Sequence, residues 1–175
     1  MPKLADVGRR SRDRMKTLGG EHFFGKISPA PESQGRGTQF FIPRRILEVH
    51  PSCQVTEGTI ILDPSGRKLL TGWNGEDNTS RTFKLYDLDQ SVSWKRAVTA
   101  VDPVTELDKE SSEAELGPIW VAIELVGNVE DTLHIPLNRY RVLCNVALVE
   151  GDRIKETLVV RSFQRSLGIT IAEVW

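Results

Sequence analysis

Asp87 and Asp89 stand two residues apart, a spacing that would put both carboxylates on one face of a strand. Such a pair could exchange protons with a substrate or hold a divalent cation. Here they bracket Asp87-Leu88-Asp89-Gln90, a turn-like stretch in which aspartate bonds to nearby backbone, so the turn reading takes precedence. His22, His50 and His134 are scattered and lack ligand spacing. Cys53 and Cys144 form no Cys-x-x-Cys pair and read as two reduced thiols. Cys144 lies inside the apolar run Val142-Leu143-Cys144-Asn145-Val146 and reads as a small core residue. Gly35-Arg36-Gly37 is too short to cradle a phosphate, and no nucleophile elbow or zinc-protease motif occurs. Asn78-Thr79-Ser80 matches a glycosylation sequon by chance. No catalytic residue, metal ligand or cofactor is assigned, and the chain is not expected to be an enzyme.

Aromatic residues offer a second kind of chemistry. Trp73, Trp94, Trp120 and Trp175, with Phe83 and Tyr86, could stack nucleic-acid bases on a small barrel. Bases are sparse around most of them, so the core is the better place for them. Lys95-Arg96 beside Trp94, and Arg67-Lys68, keep an OB-like nucleic-acid-binding barrel as the alternative function.

The elements that would position these residues sit in a chain of 175 residues, 39% hydrophobic and 27% charged, with a mean hydropathy of -0.29. That suits one domain with an arm. No run approaches the roughly 20 apolar residues of a membrane span, and no apolar stretch follows the basic N-terminus, so neither a membrane partner nor a secretory signal is expected. Charge is unevenly spread. Residues 1–45 carry ten Lys/Arg against four Asp/Glu, and the other 130 residues carry 13 against 20. A basic arm on an acidic body points to an acidic partner surface, either nucleic acid or protein.

Residues 4–18 read as a short helix. Leu4, Val7, Met15 and Leu18 make one stripe, Arg9, Arg10, Arg12, Arg14 and Lys16 cover the rest, and Gly19-Gly20 ends it. Residues 25–38, with two prolines and three glycines, read as a flexible connection anchored by Phe23-Phe24 and Phe40-Phe41. The expected domains are therefore an arm over 1–45 and a body over 46–175. The body reads as mainly β, a small barrel or sandwich of nine or ten short strands. Its clearest hairpin turns at Asp63-Pro64-Ser65-Gly66. An acidic loop over 102–117 carries Asp102, Glu106, Asp108, Glu110, Glu113 and Glu115. There is one internal echo: Val55-Thr56-Glu57-Gly58-Thr59-Ile60-Ile61 against Leu148-Val149-Glu150-Gly151-Asp152-Arg153-Ile154. Chance, shared turn chemistry or duplication would each produce it.

Two segments carry a family resemblance. Glu57-Gly58-Thr59-Ile60-Ile61-Leu62-Asp63-Pro64-Ser65-Gly66-Arg67-Lys68-Leu69-Leu70 is one. The other is Gly151-Asp152-Arg153-Ile154, continuing through Leu158-Val159-Val160 to Gly168-Ile169-Thr170-Ile171-Ala172-Glu173-Val174. They resemble the small β-barrel head-completion, head-closure or stopper proteins of tailed-phage necks, over about a third of the chain. The resemblance implies a structural virion protein at the head-to-tail junction, assembled in the host cytoplasm, with no catalytic residue to carry over. Its partners would be copies of itself in a ring, neighbouring portal, adaptor or tail proteins, and DNA passing through the channel without sequence-specific contact. Arm exchange would then place Leu4, Val7, Arg9, Arg10, Arg12, Arg14, Met15, Lys16, Leu18, Phe23 and Phe24 against a neighbour. The acidic loop would line the channel or receive a basic arm. Deleting residues 1–24 would leave a folded body that no longer assembles.

Overall fold

The computed structural model describes residues 12–31, 41–98, 112–130 and 133–175. Among the described residues twelve strands run in chain order: β1 Asp13–Thr17, β2 His22–Pro29, β3 Arg45–Val49, β4 Ile60–Leu62, β5 Lys68–Glu76, β6 Arg81–Asp87, β7 Gln90–Val98, β8 Ser112–Glu130, β9 Pro136–Cys144, β10 Arg153–Ile154, β11 Leu158–Ser166 and β12 Ile169–Val174. They close into two six-stranded barrels. The chain divides into two compact units, residues 1–89 with 167–169, and residues 90–166 with 170–175.

The expectation of an N-terminal helix is corrected. The described residues contain no helix, and the part of 4–18 that is described is strand β1. The physical reason is period. Along Asp13-Arg14-Met15-Lys16-Thr17 Met15 points into the core between exposed neighbours, and it pairs with Phe23 across the hairpin. That cross-strand partner outweighs a stripe of four apolar residues diluted by Gly8. Leu18 falls in the turn, exposed. The expected connection over 25–38 is likewise strand in its first part, since Gly25–Pro29 pairs with β3. Gly25 permits this: a Cβ there would stand 2.8 Å from both Leu47 Cδ1 and Met15 Cε. Of the expected helix, residues 4–11 lie outside the described residues, as do 32–38 of the connection and 102–111 of the acidic loop. Residues 112–117 open strand β8.

The body is therefore two barrels, and they repeat one design. The first has the strand order β1-β2-β3-β6-β5-β4, and the second, read from β7, has β7-β8-β9-β12-β11-β10. Registers match as well as order. Met15 faces Phe23 as Val92 faces Ile119, and Thr17 faces Ile61 as Trp94 faces Ile154. Ile27 faces Leu47, which faces Phe83; Ile123 faces Val142, which faces Ala172. These alternate residues fill two separate cores, one around Leu47, Ile61 and Phe83, the other around Val142, Ile154 and Ala172.

The Glu-Gly echo marks the same corner in each repeat, just before the fourth strand. Gly58 and Gly151 both take positive φ, +81° and +88°. Gly58 N–H donates to Thr71 C=O at 2.8 Å, as Gly151 N–H does to Val160 C=O at 2.9 Å. Thr71 N–H returns to Thr59 C=O, as Val160 N–H returns to Asp152 C=O. The amide of Thr56 is capped by Thr59 Oγ1, and that of Val149 by Asp152 Oδ2. Even the brace on the preceding loop is shared, with Arg81 donating to Cys53 C=O and Thr170 Oγ1 to Val146 C=O.

The hairpin expected at Asp63-Pro64-Ser65-Gly66 joins β4 to β5. Asp63 Oδ1 accepts from Ser65 N–H, Ser65 Oγ and Arg67 N–H at 2.6–2.9 Å. Asp87-Leu88-Asp89-Gln90 is not a hairpin turn. It links β6 of the first barrel to β7 of the second, and Asp87 receives the Arg45 guanidinium.

Candidate functional site

A cleft of about 890 Å³ opens on the first barrel between the β1–β2 hairpin and the loop that follows β3. Arg12, Thr17, Glu21, His22, Phe23 and Phe24 come from the hairpin, and His50, Ser52, Cys53, Gln54 and Val55 from the loop. Phe23 is core, whereas Phe24, the next residue of the strand, is 50% exposed. Arg12 leans on Glu48 at 3.6 Å. The loop is held from below by Arg81, which donates to the carbonyls of Pro51, Cys53 and Val55. His50 Nδ1 accepts the Ser52 amide at 3.2 Å and lies 2.7 Å from Ser52 Oγ. The imidazole thus organises its own turn.

In the second barrel the position of Thr17 is taken by Trp94, and its polar chemistry is closed on itself. Asp152, 1% exposed, accepts from Trp94 Nε1 at 3.0 Å, from Arg96 Nε and Nη2 at 2.8 Å each, and from Val149 N–H at 3.0 Å. Arg96 also stacks 5.4 Å above the Trp94 ring and donates to Ala147 C=O. Burial alone would raise the Asp152 carboxyl. The bonds from Arg96, Val149 and Trp94 outweigh it and hold the group below the usual aspartate range. Asp63 in the first barrel is lowered in the same way: burial opposes the shift, and the bonds from Ser65 and Arg67 carry it.

The expected contact residues divide between core and surface. Met15 and Phe23 are core of their own barrel, and Arg14, Lys16, Leu18 and Phe24 are exposed. Leu4, Val7, Arg9 and Arg10 lie outside the described residues. So do Asp102, Glu106, Asp108 and Glu110 of the acidic set. Glu113 pairs with Arg153 at 3.1 Å, and Glu115 stands opposite Lys95 in the β7–β8 ladder. Of the six aromatic residues weighed for stacking, Phe83 alone is fully buried: Trp73 is 44% exposed, and Tyr86, Trp94, Trp120 and Trp175 are half-buried. Phe83 is fully buried with Trp73 edge-on to it, and Trp175 lies under the Arg161 guanidinium. Among the described residues, no group of three or more His, Cys, Asp or Glu converges to hold a metal ion.

The cleft and the Asp152 network were both missed in the sequence. The first is assembled from residues about thirty apart, and the second from residues 56 and 58 apart; no local motif marks either. The one available signal was Asp152, which stands in the echo where the first half has Thr59.

Both cysteines are free thiols, as expected. Cys144 is buried, and burial pushes its thiol up to about 11, while Cys53 is half-buried on the cleft. Thiolate is the reacting form. Labelling the native protein with iodoacetamide at pH 8 is therefore expected to modify Cys53 alone, with Cys144 reacting only after denaturant is added. Equal native labelling of both, read by peptide mass, would contradict this placement.

No protein-family model, curated protein or solved structure matches the chain.

Proposed function

We propose that this chain is a structural, non-catalytic protein that works by contact with other proteins. Following the resemblance of its two echo-containing segments, it would serve at the head-to-tail junction of a tailed phage. There it would form a ring of its own copies between portal or adaptor and tail proteins, around a DNA channel. One observation carries the reading. Strand β8 runs for 19 residues and outlasts its barrel. Its pairing with β7 ends at Val121, while β9 leaves β12 at Tyr140. Beyond these points the two strands form a ribbon, Gly127–Glu130 against Pro136–Arg139. The ribbon and its approach expose Leu125 (59%), Leu133 (75%), Ile135 (50%) and Leu137. Clustered apolar exposure on a projecting hairpin marks a surface for a partner.

The ordered carboxylates support a structural role too. Asp63, Asp77 and Asp152 each accept at least one backbone amide of their own turn. Met15 and Phe23 drop out of the arm-exchange contacts, because they cannot be lent to a neighbour without opening the first barrel. The ribbon adds a contact surface, with Leu18 and Phe24 as further exposed positions.

Sedimentation of the full chain tests this. The wild type is expected to form higher oligomers at high concentration, and Leu133→Ser with Leu137→Ser to stay monomeric with unchanged melting. Identical monomeric sedimentation of both would refute the reading.

A further inference from the structure

The outer face of the first barrel gathers positive charge along the adjacent strands β1, β2, β3 and β6, whether or not the ribbon is the assembly contact. Met15, Phe23, Leu47, Val49, Phe83 and Leu85 fill the core. By alternation Arg14 and Lys16 of β1, Phe24 and Lys26 of β2, Glu48 of β3 and Lys84 of β6 point outwards. Glu48 is the one acid among the outward residues of these four strands, and Arg12 already leans on it at 3.6 Å. Among the described residues, Arg14, Lys16, Lys26 and Lys84 have no carboxylate within ion-pair reach. The whole chain has a net charge of -1, so this wall departs from the balance of the rest.

Register brings the cations together. The β1–β2 ladder sets Arg14 opposite Phe24 and Lys16 opposite His22, and one residue further it sets Arg12 opposite Lys26. Like charges facing across strands cost stability, and a bound polyanion relieves that cost. Arg12, Arg14 and Lys16 recur about every 7 Å along the strand, a step that suits a row of phosphates on an extended chain. Phe24 supplies a second kind of contact. Its ring is 50% exposed amid these cations and also lines the cleft, which leaves room beside it for a planar group. Cations that track a backbone, with an aromatic ring among them on which a base can stack, are the two parts of a single-strand platform.

We propose that this face binds single-stranded nucleic acid, with phosphates on Arg14, Lys16, Lys26 and Lys84 and one base stacked on Phe24 at the mouth of the cleft. Charge and stacking do the recognition, so binding tolerates many sequences. Phe24 lies outside the six aromatic residues that the sequence offered for stacking.

Fluorescence anisotropy of the full chain with a labelled oligothymidylate of about twelve nucleotides tests this. Binding is expected at low salt and should weaken steeply as salt rises. Arg14→Gln with Lys16→Gln should lose at least about tenfold in affinity and flatten the salt slope by about 1.4. Phe24→Ala should lose about tenfold on the oligothymidylate and nothing on an abasic strand of equal length. Lys155→Gln with Arg165→Gln removes the same charge from the second barrel and should bind as wild type. The substituted residues are exposed, and each variant is checked for wild-type melting. Should Phe24→Ala melt early, Phe24→Tyr should bind within threefold of wild type and Phe24→Leu should not. No binding at low salt, full binding by the Arg14 and Lys16 variant, or equal loss in the second-barrel control overturns the proposal. So does polyglutamate binding as tightly as the oligonucleotide, which would make an acidic protein the partner. Sedimentation of the ribbon variant is read separately, so either reading can fail without the other.

Discussion

Removal of residues 1–24 is expected to unfold the first barrel, not to free a stable body. The deletion takes β1 entirely, and with it Met15 and Phe23 from a core shared with Leu47, Ile61 and Phe83. It also opens the barrel at two seams, because β1 is the strand that joins β2 to β4. A domain's net stability is about 5–15 kcal/mol, and the loss of a core strand with two large buried side chains exceeds what such a barrel holds in reserve. The six strands of the second barrel all lie between Gln90 and Val174, so their amide signals are expected to persist while those of residues 41–89 collapse to unfolded positions. A truncated chain with dispersed signals from Leu47, Ile61 and Phe83, and wild-type melting, would disprove this account of the N-terminal segment.

Asp152→Ala is the point substitution with the largest expected effect, a loss of about 3–5 kcal/mol. It strands the Trp94 indole N–H and the Val149 amide in a buried site and removes the bidentate partner of Arg96. The half-exposed side of Arg96 can turn to water, which keeps the cost at the lower end of that range. The pH dependence follows from the lowered carboxyl. Its folded value lies below the roughly 3.9 of an unfolded aspartate, so the network contributes fully above about pH 5. That contribution fades as pH falls through the unfolded value and on through the folded one. Urea midpoints of wild type and variant should differ widely at pH 7 and converge towards pH 2. A constant difference across that span, or none at pH 7, would show that Asp152 does not anchor the corner.

Local chemistry was legible wherever it was decided by a few adjacent residues. The Asp63-Pro64-Ser65-Gly66 turn, the alternation of Phe83 and Leu85 against Lys84 and Tyr86, and the buried Cys144 all stand as expected. The β class followed from them, because strand periodicity is written into consecutive side chains. The N-terminal segment misled for a physical reason. A four-residue apolar stripe fits a helix and a strand about equally over so short a stretch, and only Phe23 across the hairpin settles which face Met15 must use. The 1–45 composition shift was real as charge, yet the described part of it is barrel wall.

The echo shows the division most clearly. Its residues specify a corner: a glycine with positive φ and an adjoining amide capped by the side chain at Thr59 or Asp152. Of this, the glycine turn was readable and the side-chain cap was not. That the corner recurs because an entire six-strand barrel recurs was not, since the two repeats keep burial and register while replacing nearly every side chain, Leu47 by Val142 and Phe83 by Ala172. A core asks only for apolar volume at the right place, so order and register survive where sequence likeness does not. The point where β2 changes partner belongs wholly to the tertiary structure: β3 ends at Val49, opposite Gly25, and no residue in β2 records where a distant strand stops.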